Sequence, residues 1–146
     1  MRLIGLSKII MINGPNLNWL GRRSEKHYGK TNLQELEEML AEIAREKGSE
    51  LLSFQTNSEG EFIDLLQTNY KQAAGYIINP GAYSHTSLAI MDALLSIDKQ
   101  VIEVHLSNVT SREKFRQNLL TASACDGVII GFGKAGYKLA LESLIN

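Results

Sequence analysis

A tyrosine near two arginines is the first group in this sequence with types and spacing suited to chemistry. The stretch NGPNLNWLGRRSEKHYG (residues 13–29) places Tyr28 five residues after Arg23. A tyrosine has an ordinary pKa of about 10, so it acts as a base near neutral pH only where nearby positive charge favours the phenolate. The arginines supply that charge if the loop folds back. The alternative is a surface tyrosine beside solvated arginines, and this stretch alone leaves both open.

A histidine and a glutamate form the second group. Glu103 and His105 lie two residues apart in the apolar run QVIEVHL (100–106), so on a strand both side chains point to one face. A carboxylate beside an imidazole fixes its tautomer and raises its pKa, which suits a general acid. The alternative is a satisfied histidine at a strand end. One histidine and one glutamate are too few for a metal site.

The third group is NPGAYSHTS (79–87), which combines an amide, an imidazole and several hydroxyls. Asn79 ends a predicted buried strand, where its amide must find hydrogen-bond partners. His85 is either a ligand contact or a partly exposed loop residue. Free backbone N–H groups at the start of the next helix suit an anion. Three residues are candidates to cap that helix: Ser84, Thr86 and Ser87.

Strands and helices alternate along the chain and must position these groups. Predicted strands cover residues 8–12, 51–55, 75–79, 100–106 and 127–131. Predicted helices cover residues 32–48, 61–70, 86–97 and 136–145, with a short helix over 111–120. Near-continuous apolar strands predict a parallel sheet covered on both faces. We expect an α/β, flavodoxin-like three-layer fold with a five-stranded parallel sheet; the order 2-1-3-4-5 is assumed from the strand number and chain length.

All three polar groups follow or end predicted strands one, three and four. The carboxyl ends of parallel strands share one edge of the sheet, and these three strands are neighbours in the assumed order. Open α/β sheets bind ligands at that edge. A further stretch, GFGKAG (131–136), matches the glycine pattern of dinucleotide sites. It lacks the following strand and acidic residue, which favours tight packing of the last helix instead.

Composition places the chain among ordinary globular proteins. Its 146 residues predict one domain, 1–146. A net charge of -1 gives no electrostatic case for nucleic acid or an anionic membrane surface, and no apolar stretch reaches the roughly 20 residues of a membrane span. The single cysteine, Cys125, is expected to be a buried structural thiol, and its isolation fits a reducing cytoplasm.

Together, NGPNLNWLGRRSEKHYG, INPGAYSHTS and EVHLSN with SREKFR resemble the type II 3-dehydroquinate dehydratases. FQTNSEGE and GVIIGFGKAGY resemble the same family, so the match runs from about Lys8 to the C-terminus. The resemblance implies cofactor-independent, metal-free dehydration of 3-dehydroquinate to 3-dehydroshikimate through an enolate. That reaction serves the shikimate pathway of aromatic amino acid biosynthesis or, alternatively, quinate breakdown. It also implies a dodecamer built from trimers.

The resemblance assigns the chemical steps to five positions. The base falls on Tyr28 and its essential arginine on Arg23, with the first loop acting as a lid. The asparagine that holds a water against the enolate falls on Asn16. The general acid falls on His105, oriented by Glu103.

Substrate contacts and supporting residues follow from the same resemblance. The contacts fall on Asn79, His85, Leu106 (through its backbone), Ser107 and Arg116. Arg112 matches an arginine on the lid side, near the tyrosine, and Asp92 matches an aspartate that reaches a neighbouring subunit's site. The stretch NLLTAS (118–123) departs from a serine- and tyrosine-containing stretch common in the family, so the packing behind Arg116 is not implied.

Three other functions remain open from the residues themselves. A flavodoxin-like binding module without catalysis would copurify with a coloured flavin. A related enzyme would carry out enolate chemistry on another hydroxy acid and would not turn over 3-dehydroquinate. An assembly scaffold would form full oligomers without turnover.

Overall fold

A five-stranded parallel sheet forms the centre of the computed structural model, which describes residues 5–22 and 30–145. The strands in chain order are β1 (Ser7–Asn13), β2 (Ser49–Gln55), β3 (Ala73–Asn79), β4 (Gln100–His105) and β5 (Gly127–Ile130). Their order in the sheet is β2-β1-β3-β4-β5, and every neighbouring pair is parallel. The predicted architecture and strand order are therefore confirmed.

The α-helices lie on both faces of this sheet. They are α1 (Leu33–Glu46), α2 (Glu59–Thr68), α3 (Leu88–Leu95) and α4 (Lys134–Ile145). Side chains of one face of the sheet, including Ile9 and Met11, share a core with α1 and α4. The alternate residues, including Ile10 and Ile12, share a core with α2 and α3. Because both faces are buried, the strands read as continuous apolar runs rather than as alternating ones.

Side-chain caps set where three of the helices begin. Asn32 caps α1, since its Oδ1 accepts a 2.8 Å hydrogen bond from the backbone N–H of Glu35. Ser58 caps α2 in the same way. Of the three candidates before α3, Ser87 is the cap, and its Oγ accepts a 2.9 Å bond from Ile90.

Two predicted helices differ from the structure. The helix predicted over 86–97 is shorter, and a 3₁₀ turn over Gly81–His85 precedes it. The helix predicted over 111–120 is replaced by short 3₁₀ turns, which continue to Ala124. There, Asn108 accepts from the backbone N–H of Thr110, and Ser111 Oγ donates to the Asn108 carbonyl. Such side-chain bonds compete with helical backbone bonds and stop a regular helix from forming.

Close contact between two loops brings the ends of β1 and β3 together. The N–H of Gly14 donates a 2.8 Å hydrogen bond to the carbonyl of Asn79. A Cβ atom on Gly14 would lie 2.5 Å from the carbonyl oxygen of Pro80, so any larger residue would force the loops apart. This contact sets the distance between the residues that follow β1 and those that follow β3.

Candidate active site

A cavity of about 120 Å³ lies at the carboxyl edge of the sheet, where β1, β3 and β4 end. The structure brings the following predicted residues together around it: Asn16, Asn79, His85, His105, Leu106, Ser107, Arg112 and Arg116. They come from strand ends and loops separated by up to a hundred positions in the sequence. The topology of the sheet, rather than any local motif, therefore assembles this group.

A buried hydrogen-bonded relay ends at His105. Nε2 of His105 lies 2.8 Å from Oε2 of Glu103, as the two-residue spacing on β4 predicts. The other carboxylate oxygen, Oε1, accepts a hydrogen bond from the hydroxyl of Thr121. Glu103 is fully buried, so these bonds stabilise a carboxylate that has no access to water. Because a carboxylate only accepts, Nε2 carries a proton, and Nδ1 remains for a ligand.

His85 lies opposite this relay. Its ring centroid is 6.5 Å from that of His105, with 25° between the ring planes. Nδ1 of His85 lies 2.9 Å from the carbonyl oxygen of Asn118. A carbonyl only accepts, so Nδ1 carries the proton and Nε2 remains for a ligand. Each imidazole is thus held through one nitrogen by the protein.

Asn79 is anchored at both ends of its amide. Oδ1 accepts a 3.1 Å hydrogen bond from the backbone N–H of Gly81, and Nδ2 donates a 2.8 Å bond to the hydroxyl of Tyr137. Asn16 approaches the cavity from the other loop with φ 70, in the left-handed region that asparagine tolerates better than most residues. Its backbone N–H donates to Oδ1 of Asn57, which holds this backbone conformation in place.

Two arginines give the cavity positive charge. Nε of Arg116 lies 3.1 Å from Oε2 of Glu113, and Nε of Arg112 lies 3.7 Å from the same oxygen. A hydrogen bond from its own backbone N–H, followed by the charges of the two guanidinium groups, lowers the pKa of the Glu113 carboxyl. Glu113 is exposed, and the arginines line the cavity, so their guanidinium groups are placed to meet an anion.

Two predicted site residues are not among the described residues, and a third lies away from this cavity. Arg23 and Tyr28 lie outside the described residues, as does the part of the predicted lid over 23–29. Asp92 is exposed on α3 and does not line the cavity of its own chain. Within residues 5–22 and 30–145, no cluster of three or more His, Cys, Asp or Glu side chains could hold a metal ion.

Two residues that contact this site from behind were not predicted from the sequence. Thr121 belongs to the stretch that departs from the family pattern, and Tyr137 follows the glycine-rich stretch that we interpreted only as packing. A single hydroxyl-bearing side chain leaves no periodic pattern in the sequence, so the pattern of apolar and polar residues did not indicate either residue as part of the site. Cys125 is partly rather than fully buried, because it ends the 3₁₀ turn Thr121–Ala124 at the margin of the core. Burial nevertheless raises the pKa of its thiol.

The glycine-rich stretch GFGKAG does serve the predicted packing. A Cβ atom on Gly136 would lie 3.3 Å from methyl groups of Ile129 on β5 and Val104 on β4. The missing side chain therefore lets α4 approach both strands closely. In the part of the chain that the structure describes, no helix is long and apolar enough to cross a membrane.

Fold and cavity together define an α/β protein with a polar, positively charged site for a small molecule at the carboxyl edge of its sheet. The sequence model of the family described as dehydroquinase class II matches residues 7–145. The 3-dehydroquinate dehydratase of Carboxydothermus hydrogenoformans is 50% identical over 139 residues, which are 95% of this chain and 90% of that protein. The chain therefore belongs to the class II dehydroquinase family.

Solved structures agree with this assignment. The crystal structure of type II dehydroquinase from Butyrivibrio crossotus superposes with a TM-score of 0.94 at 45% identity, covering 97% of this chain and 99% of that one. The type II dehydroquinase structure from Propionibacterium acnes gives a TM-score of 0.92 at 39% identity, covering 95% and 96%.

Proposed function

We propose that this protein is a cofactor-independent hydro-lyase that converts 3-dehydroquinate to 3-dehydroshikimate and water, as one domain of the class II dehydroquinase family. One observation carries the proposal. His105, hydrogen-bonded to the buried Glu103, borders the same cavity as Arg112 and Arg116, in a chain whose sequence matches that family over residues 7–145. An oriented imidazole can move a proton, and the guanidinium groups can hold an anion.

The substrate is a cyclic hydroxy acid with a ketone, and the cavity offers a partner for each of these groups. We assign the carboxylate and hydroxyl contacts to Asn79, His85, Ser107, Arg116 and the backbone of Leu106. All of these residues line the cavity. Arginine suits the carboxylate because its planar fork binds two oxygens at once. Arg112 would support the side from which the base approaches.

Proton removal begins the reaction. The proton leaves a carbon next to the ketone, so its removal produces an enolate. Tyr28, held as a phenolate by Arg23, takes that proton in this proposal; both residues lie outside the described ranges. A water held by Asn16 donates to the enolate oxygen and stabilises the charge as it develops.

Loss of the hydroxyl completes the reaction. The enolate re-forms the ketone, a carbon–carbon double bond forms, and the carbon–oxygen bond of the hydroxyl breaks. His105 donates a proton to the departing oxygen, which leaves as water. Glu103 accepts a hydrogen bond from Nε2 of His105, so the proton is donated from Nδ1 of an imidazolium that carries a proton on both ring nitrogens and becomes neutral in this step. Tyr28 then returns its proton to solvent and His105 takes one up.

The deciding experiment is an assay with purified protein and 3-dehydroquinate, followed by the absorbance of the enone in the product. We expect turnover at the same rate before and after treatment with a metal chelator. A protein that is yellow from bound flavin and leaves 3-dehydroquinate unchanged would support the binding module instead. Loss of turnover on chelation, restored by added metal, would contradict the cofactor-independent mechanism.

The pathway is proposed to be the shikimate pathway in the cytoplasm. Quinate breakdown uses the same reaction, so the assay alone does not separate them. A strain that lacks this gene should require aromatic amino acids for growth. Growth without them, combined with loss of growth on quinate, would assign the chain to breakdown.

We also propose a dodecamer built from trimers, in which Asp92 reaches a neighbouring subunit's site. The exposure of Asp92 on α3, away from the cavity of its own chain, supports this assignment. Native mass spectrometry should give twelve times the 16.2 kDa mass of one chain. Asp92→Ala should raise KM while the mass stays unchanged. A monomer with full activity would rule out both parts of the proposal.

A further inference from the structure

A buried chain of hydrogen bonds runs from the cavity wall into the core. Nδ2 of Asn79 donates to the hydroxyl of Tyr137 at 2.8 Å, and that hydroxyl donates to Oδ1 of Asn13 at 2.7 Å. Asn13 and Tyr137 are fully buried, and Asn79 is 4% exposed. Of these three residues, only Asn79 lines the cavity. These hydrogen bonds therefore connect the last residues of β1 and β3 with the first turn of α4.

The backbone sets the direction of this chain. The N–H of Gly81 donates to Asn79 at 3.1 Å, and an N–H cannot accept, so the amide oxygen of Asn79 must face Gly81. Its nitrogen then faces Tyr137 and donates, so the tyrosine oxygen accepts. The tyrosine proton is left to bind Oδ1 of Asn13. The directions of both bonds made by the Tyr137 hydroxyl therefore follow from one backbone group, while Nδ2 of Asn13 is buried without a hydrogen-bond partner among the described residues.

The close packing of α4 makes this contact possible. Gly136, directly before Tyr137, has no Cβ to hold the helix away from β4 and β5. The hydroxyl of Tyr137 therefore reaches the sheet edge. Burial raises the pKa of Tyr137, so its hydroxyl keeps the proton that it donates to Asn13.

We propose that Tyr137 is a positioning residue that fixes the orientation of the Asn79 amide toward the substrate. Asn79 has a second N–H and a second oxygen lone pair beyond those used by Tyr137 and Gly81. With both ends of the amide held, these remaining groups meet a substrate hydroxyl in one orientation. Without the tyrosine hydroxyl, the amide swings about its single bond to Gly81. This inference rests on the proposed function, in which Asn79 contacts 3-dehydroquinate.

Tyr76 provides a matched control. It is also fully buried, lies on β3, and donates one 2.7 Å hydrogen bond, to the carbonyl of Leu66. Its side chain belongs to the core on the opposite face of the sheet, and it does not line the cavity. Tyr76→Phe and Tyr137→Phe therefore remove the same atom from equally buried sites, and only Tyr137 touches Asn79.

The experiment measures KM and kcat for 3-dehydroquinate, with thermal melting of each variant. Tyr137→Phe should raise KM about tenfold, the effect of one net hydrogen bond, and leave kcat within about threefold. Both variants should lower the melting temperature by a similar amount. Tyr76→Phe should leave KM unchanged. An unchanged KM in Tyr137→Phe, or an equal rise in both variants, would overturn the inference.

A double-variant comparison tests whether Tyr137 acts through Asn79. In an Asn79→Ala background, Tyr137→Phe should produce no further rise in KM, because the amide that it positions is gone. A full additional rise would assign the effect to general disruption and overturn the inference. An Asn79→Ala protein with unchanged KM would instead contradict the substrate contact on which the inference rests. A wild-type protein without turnover would contradict the proposed function itself.

A second variant tests the chain if Tyr137→Phe does not fold. Asn13→Ala removes the acceptor of the tyrosine proton and leaves every cavity-lining residue in place. The tyrosine hydroxyl is then free to rotate, and KM should rise by a few fold, again only when Asn79 is present. A KM equal to that of the wild type in this variant would show that the chain does not position Asn79.

Discussion

The rings of His85 and His105 lie nearly parallel across one cavity, with 6.5 Å between their centroids. Different partners hold them. His105 is tied to the buried carboxylate of Glu103, whereas His85 is tied to the neutral carbonyl of Asn118. Similar imidazoles in different settings suit different tasks, and a carboxylate partner is the one that suits proton transfer.

Replacing each histidine with asparagine should separate these tasks. His105→Asn should lower kcat by about 10²- to 10⁴-fold, the usual contribution of a proton-transfer group, with little change in substrate affinity. His85→Asn should mainly raise KM, because it removes a binding contact. Steady-state kinetics and calorimetric titration of the substrate measure both effects. The opposite pattern, with kcat lost only in His85→Asn, would reverse the two assignments.

Thr121 should matter through Glu103. Thr121→Val keeps the shape of the side chain but leaves Oε1 of a fully buried carboxylate without this hydrogen bond. An unsatisfied buried group costs about 1–3 kcal/mol of stability, and the freed carboxylate holds His105 less well. We expect a lower free energy of unfolding and about tenfold lower kcat. Thr121→Ser retains the hydroxyl and should keep both; equal loss in both variants would point to packing instead.

Arg23 and Arg22 form an adjacent pair for testing the base. If Arg23 favours the phenolate of Tyr28, Arg23→Ala should raise the pH at which the remaining activity appears, because the phenol then ionises less readily. The guanidinium of Arg22 lies 5.4 Å from the ring centroid of Trp19. Arg22→Ala therefore removes the charge next to Arg23 in the sequence, and that charge contacts Trp19. The pH profile of kcat/KM should shift in the first variant and stay in place in the second.

Tyr28→Phe tests the base itself. The variant should fold and assemble like the wild type but lose turnover by several orders of magnitude, because a ring without a hydroxyl cannot take the proton. Near wild-type turnover would remove Tyr28 from the mechanism. A normal melting curve and oligomer mass are needed as controls, so that lost activity is not assigned to misfolding.

The strand pattern predicts the fold well because burial on both faces leaves a direct mark on the sequence. Runs such as IIMI (9–12) have apolar residues at every position, as the two cores of the sheet require. The boundaries near 81–88 and 109–124 were less predictable. Local hydrogen bonds of Asn108, Ser111 and Tyr83 decide those turns, and such bonds leave no periodic pattern.

The site was predictable as a group of residue types but not as a set of contacts. Glu103 and His105 could be paired from their spacing, since residues two apart on a strand share a face. Thr121 and Tyr137 could not, because each touches its partner across 18 and 58 positions of sequence, respectively. Contacts between residues so far apart in the sequence are set by the sheet order and helix packing, so only the folded chain reveals them.

Alkaline pH should destabilise the protein through its buried tyrosines. Burial, and then the nearby Tyr70, raises the pKa of Tyr76 from 10.0 to about 12. Because the folded value is higher, the unfolded chain loses its proton first. The stability from the neutral hydroxyl is therefore fully present below pH 10 and is lost as the pH rises toward 12. One such group contributes a slope of up to about 1.4 kcal/mol per pH unit.

Urea unfolding between pH 9 and pH 11 measures this effect. The free energy of unfolding should decline less steeply with pH for Tyr76→Phe than for the wild type, and the two proteins should behave in parallel near pH 8. Identical slopes throughout would mean that Tyr76 ionises equally in both states.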